Sequence, residues 1–130
     1  MKEKAKQFHF LTTYGKLSDV LTDHNLASLG DAFINFVYAL ALSKRKRKPC
    51  GAKVKGRVLA EAFKKADLRK HMPSRGDRHM FADAAEALTV YAWLHHYVVL
   101  EEAVAMLEAT DDPVEGLSRL LVTIKSRIRF

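Results

Sequence analysis

Residues 26–42, LASLGDAFINFVYALAL, decide how this chain is built. The run is apolar almost throughout, and its one formal charge is Asp31. Leu26, Leu29, Phe33, Val37 and Leu40 recur at three- and four-residue spacing, which predicts a helix with one buried face. That helix is expected over residues 24–43, with Thr22 or Asp23 as its N-cap. It closes on a basic run, Lys44, Arg45, Lys46, Arg47 and Lys48, and then Pro49, Cys50 and Gly51. Cations suit the negative end of the helix dipole, and proline with glycine supplies the stop.

Further along, a second helix is expected over 53–66, with a short turn reaching His71. Pro73, Ser74 and Gly76 make 72–76 a loop. The longest helix should run over 77–97 and another over 100–108. The last is marked at its start by Asp112 as N-cap, Pro113 at the first helical position and Glu115 at the third. Lys125, Arg127 and Arg129 lie near its end. The segment before Leu21 is patterned more weakly. With no strand-like alternation, repeat or low-complexity tract, the expected fold class is all-α, with one domain over residues 1–130.

Composition agrees. Of 130 residues 48% are hydrophobic, while glycine and proline number 6 and 3, as in a globular rather than a disordered chain. A single cysteine rules out an internal disulfide framework and fits a reduced compartment. Residues 1–7 lack the apolar run of a secretory signal, so a cytoplasmic location is expected. Residues 26–42 and 80–100 are apolar enough to raise a membrane reading. Gly30 and Asp31 in the first, and Asp83 and Glu86 in the second, speak for core helices and no membrane. The net charge of +7 favours a polyanionic partner such as nucleic acid.

The acids carry the chemistry. Between Met80 and Leu100 the only carboxylates are Asp83 and Glu86, and no Lys or Arg accompanies them. A buried, uncompensated carboxylate costs several kcal/mol. Such a group is therefore protonated, paired from elsewhere in the fold or bound to a metal ion. Asp83 and Glu86 stand three apart and share a helix face. If Asp31 meets them, three oxygen donors form a site for a hard cation such as Mg²⁺. The competing reading places each acid at a solvated helix edge or pairs it with Lys53, Arg57 or Arg78. Spacing alone leaves both open. Gly30, costly inside a helix, would let another helix approach beside Asp31.

Leu29-Gly30-Asp31-Ala32 resembles the L-G-D-A core of the ribonuclease III signature. Residues 75–88, RGDRHMFADAAEAL, resemble the family's second signature, a loop Arg-Gly leading into a helix that bears A-D-x-x-E-A-L. The order and separation match, and the resemblance covers residues 8–128. It implies that Asp31, Asp83 and Glu86 hold Mg²⁺, with Mn²⁺ as an alternative, and the water that attacks the phosphodiester. It further implies cleavage of double-stranded or structured RNA to 5′-phosphate and 3′-hydroxyl ends, as in RNA maturation, by a homodimer. Asn35, one turn beyond Asp31, would support the ligands from behind.

The chain departs from the signature in places. Where the family has two glutamates before L-G-D, His24 and Ala27 stand here. Short relatives called Mini-III also have a small residue at the second place. A further family glutamate has no counterpart around Cys50 and Gly51, and no separate double-stranded-RNA-binding domain is expected, as in Mini-III. Lys44, Arg45, Lys46, Arg47, Lys48, Lys53, Lys55 and Arg57 are then the expected RNA phosphate contacts. A solvated charge run is the plainer alternative for them, and a non-catalytic RNA-binding protein on the same fold is the alternative for the chain.

Other residues carry less. His95 and His96 are adjacent and point apart, so they cannot chelate as a pair. His79, one turn before Asp83, would face the same site. Cys50 has no partner for nucleophilic chemistry in the sequence. Tyr91, Trp93 and Tyr97 read as core or dimer-interface residues.

Overall fold

The computed structural model describes residues 8, 10, 11, 13–73 and 75–130. Residues 1–7, on which the absence of a secretory signal is argued, and Ser74 of the 72–76 loop lie outside the described residues. The order of elements is α1 (Leu17–Leu21), α2 (His24–Lys46), α3 (Gly56–Lys65), a 3₁₀ turn (Arg69–His71), α4 (Arg78–Leu94), α5 (Leu100–Glu108) and α6 (Pro113–Arg127). The described residues contain no strand, so the all-α expectation is met.

Local chemistry accounts for the ends. The Asp23 side chain accepts from the Leu26 N–H at 3.0 Å, Asp77 from Met80 and Asp112 from Val114, so each of the three long helices starts on an aspartate cap. α2 runs three residues past its expected end, because lysine and arginine are good helix formers. It stops at Arg47, which takes the left-handed conformation with φ 59°. α4 ends at Leu94, three residues short of expectation, and His96 reverses the chain at φ 65°.

α4 is the hub, with 12 of its 17 residues buried, and it packs against α1, α2, α3 and α6. The helix is rich in alanine, which lets its neighbours approach closely. The tightest approach is at Gly30, where a Cβ would stand 2.0 Å from the carbonyl oxygen of Glu86 and 2.4 Å from its carbonyl carbon. A helix axis can come this near only where one partner has no side chain.

The burial of α2 departs from the sequence reading. Its buried face is Leu26, Ala27, Gly30, Ile34, Val37 and Ala41. Leu29 is 41% exposed, and Phe33 and Leu40 are only partly covered. Phe36 is 56% exposed. The helix has a second apolar face, and the stronger hydrophobes lie toward it while small residues meet α4. α2 is also long and apolar enough to cross a membrane, with a mean hydropathy of 1.5 over its best window and 33% of that window buried. Trp93 and Tyr91 belong to this side of the core: Trp93 stacks on Phe33 at 5.2 Å, and Tyr91 meets Tyr14 edge-on at 5.3 Å.

Candidate active site

The crossing at Gly30 puts Asp31 of α2 beside α4, whose one face carries Asp83 and Glu86. The three acids differ in surroundings. Asp31 is exposed, Asp83 is partly covered, and Glu86 is buried with 8% exposure. Burial pushes the Glu86 carboxyl up to about 8. A hydrogen-bonding contact with Asp31 and the negative charges of Asp31 and Asp83 add to the shift. Left to itself at neutral pH, Glu86 holds its proton.

Among the described residues no Lys or Arg pairs with any of the three acids. Lys53 and Arg78 form no ion pair, and Arg57 reaches toward Glu61 at 3.9 Å instead. The one basic neighbour is His24, whose Nδ1 lies 3.9 Å from Asp83 Oδ2 on a side chain 86% exposed. The local field is therefore negative and uncompensated. No three His, Cys, Asp or Glu side chains among the described residues converge closely enough to hold an ion by themselves. The donor set is all oxygen, hard and short of positive charge. That suits a cation that keeps several waters in its shell, as Mg²⁺ does.

Asn35 lies one turn beyond Asp31 and uses both ends of its amide. Nδ2 donates to Asp31 Oδ1 at 3.2 Å, and Oδ1 accepts from the Val54 N–H at 2.8 Å. The loop between α2 and α3 is held at a second point by Ser43, whose Oγ accepts from the Cys50 N–H at 3.0 Å. A side chain of α2 thus ties an acid to the chain segment that carries the later cations.

The eight cations divide into groups. Lys44 pairs with Glu108 at 3.2 Å and Arg45 donates to the Glu108 carbonyl at 2.7 Å, so both sit on the C-terminal end of α5. Lys46, Arg47 and Lys48 are exposed at the turn. Lys53, Lys55 and Arg57 line a cavity of about 220 Å³. Lys55 and Arg57 also line a second one of about 310 Å³, where Arg78 and His79 join them. His79 is exposed there, and among the described residues the side chain that approaches Asp83 is that of His24. From the sequence Arg78 reads only as a partner for the acids, and Tyr38 does not stand out at all. Tyr38 stands seven beyond Asp31, two helical turns along α2, and that spacing is the signal that could find it; Arg78 has no such spacing to the acids.

A helical fold whose two longest helices each carry carboxylates to one crossing is what the ribonuclease III signature describes. The family model described as Ribonuclease III matches residues 24–128, from the first residue of α2 to the end of α6. The chain belongs to the ribonuclease III family. No curated protein sequence matches it significantly. Membership points to RNA endonuclease function, and the family generally uses a divalent metal.

Proposed function

We propose that this protein is a divalent-metal-dependent endoribonuclease of double-stranded or structured RNA, working as a homodimer. Asp31, Asp83 and Glu86 serve as catalytic residues and metal ligands. The observation that supports this most is the close crossing at Gly30, which sets Asp31 against a buried Glu86 with, among the described residues, no Lys or Arg paired to either. Mg²⁺ or Mn²⁺ bound there would polarise the scissile phosphoryl group, activate a water and stabilise the leaving oxygen. Glu86 would have to give up its proton to serve as a ligand, and Asp31 and Asp83 would hold the cation from the exposed side. Asn35 fixes the rotamer of Asp31, so the carboxylate is aimed before RNA arrives. Hydrolysis that breaks the bond to the 3′ oxygen leaves 5′-phosphate and 3′-hydroxyl ends.

Dimerisation is supported by the second apolar face of α2. Leu29 and Phe36 are exposed one above the other, seven residues apart on α2, and would be covered by the same face of another copy. The basic groups of the α2–α3 loop supply phosphate contacts along the duplex.

One feature favours the alternative, an RNA-binding protein without catalysis. Ala27, one turn before Asp31, is buried with 5% exposure and contributes no carboxylate. The deciding experiment is incubation of a long double-stranded RNA with Mg²⁺ or Mn²⁺ and wild type, Asp31→Asn or Glu86→Gln. Cleavage by wild type alone, with binding retained in both variants, is expected. Binding without cleavage by all three in either metal would establish the alternative.

A further inference from the structure

We propose that the cavity bounded by α2 and the starts of α3 and α6 receives a single unpaired nucleotide of the RNA, its base on Tyr38 and its phosphates on Lys53, Lys55 and Arg57. The inference rests on the endoribonuclease reading and narrows it: the preferred substrate is a duplex interrupted by an extrahelical nucleotide near the cut.

The chamber has a volume of about 220 Å³, of the order of a nucleobase with its hydration. It is lined by Tyr38, Val54, Val58 and Pro113 together with the three cations just named. Contact with a regular duplex makes no use of such walls. In A-form RNA the bases are stacked and paired, and a protein meets phosphates and 2′-hydroxyls on a convex surface. A base that has left the stack offers a π-face, and an aromatic ring flanked by cations is the usual platform for it. Free phosphate would leave the four apolar residues without a role.

The chamber adjoins the acids through Asn35, which donates to Asp31 and accepts from the N–H of Val54 in the chamber wall. Tyr38 stands two helical turns beyond Asp31, so the two share one face of α2. A second cavity, of about 310 Å³, is also lined by Lys55 and Arg57, with Arg78 and His79 beside them. Among the described residues Lys53, Lys55 and Arg78 form no ion pair, and Arg57 has only the long contact to Glu61. The chamber is built in advance, because Asn35 and Ser43 hold the loop that supplies Lys53 and Val54. Preformed walls lower the ordering cost of binding.

The test uses the full chain and two RNA duplexes of one sequence, one perfect and one carrying a single bulged 2-aminopurine. Affinity is measured in Ca²⁺, and cleavage is then measured in Mg²⁺. The bulged duplex should bind roughly fivefold tighter or more, with a change in 2-aminopurine fluorescence on seating. Tyr38→Leu should bring it down to the affinity of the perfect duplex, and Tyr38→Trp should keep the preference. Equal affinity of wild type for the two duplexes overturns the inference whatever the variants do. Equal weakening of both duplexes by Tyr38→Leu overturns it too, by assigning Tyr38 to the fold. A chain that binds and cuts the perfect duplex without preference loses this inference alone. One that binds neither RNA loses the endoribonuclease reading with it.

Discussion

Gly30 lies so close to the backbone of Glu86 that a Cβ on it would stand 2.0 Å from the Glu86 carbonyl oxygen. The glycine and the acid it abuts are on different helices, and neighbours of the pair hold the other two carboxylates. The distance between α2 and α4 and the geometry of the site are therefore one quantity. Gly30→Ala gains about 1 kcal/mol in helix propensity, yet the clash is with backbone and no rotamer relieves it. We expect a net loss of roughly 2 kcal/mol or more, on the order of 8 °C in Tm. A thermal melt equal to wild type would show that the helices separate freely.

Glu86 makes stability depend on pH when no metal is present. Its folded pKa of about 8 stands above the ordinary 4.5, so the folded chain binds the extra proton between those values. The contribution is favourable at low pH and is lost as pH rises through 8. His71 and His95 act oppositely, since burial lowers both and favours folding above their ordinary range. The comparison with Glu86→Gln isolates the carboxyl. In EDTA, the urea midpoint of wild type should fall relative to that variant between pH 5.5 and 8.5, and Mg²⁺ should reverse the fall. Parallel curves would remove Glu86 from the account.

The exposed aromatic on α2 gives a separate prediction. Phe36→Asp places a charge on a residue already 56% exposed, so the monomer should fold unchanged by circular dichroism. Buried in a symmetric interface it would introduce two unpaired charges. Sedimentation of wild type should report a dimer and that of the variant a monomer at the same micromolar loading. A monomeric wild type would leave the apolar face of α2 for another partner.

Asn35 can be divided by substitution. Asn35→Asp keeps an acceptor for the Val54 N–H but loses the donor to Asp31 and sets two carboxylates side by side. Asn35→Ala loses both contacts. Cleavage should fall by about 10- to 100-fold in each. Only the alanine variant should also loosen the loop, seen as faster hydrogen exchange at Val54. Unchanged cleavage in both would make the amide a purely structural clamp.

Much of the fold is legible in the sequence. Acids in the two most apolar stretches single out Asp31, Asp83 and Glu86 as candidates while spacing leaves a solvated-edge reading open, and Gly30 beside Asp31 announces the crossing. Asp23, Asp112 and Pro113 mark helix starts through capping chemistry that acts within a few residues. What does not show depends on distant segments. Periodicity counts apolar residues on α2 but cannot say which of two apolar faces meets α4, and so it puts Leu29 in the core. Lys44 and Arg45 read like their neighbours until α5 ends against them. The chamber around Tyr38 draws walls from α2, the following loop, α3 and Pro113, and no local pattern anticipates such a meeting.

The amide of Asn35 also has a thermodynamic meaning. One side chain restrains both an acid that would meet the cation and the loop that would meet the RNA, so whatever motion remains at one end is shared with the other. Such coupling is reciprocal: whatever factor the cation contributes to RNA affinity, RNA must return to cation affinity.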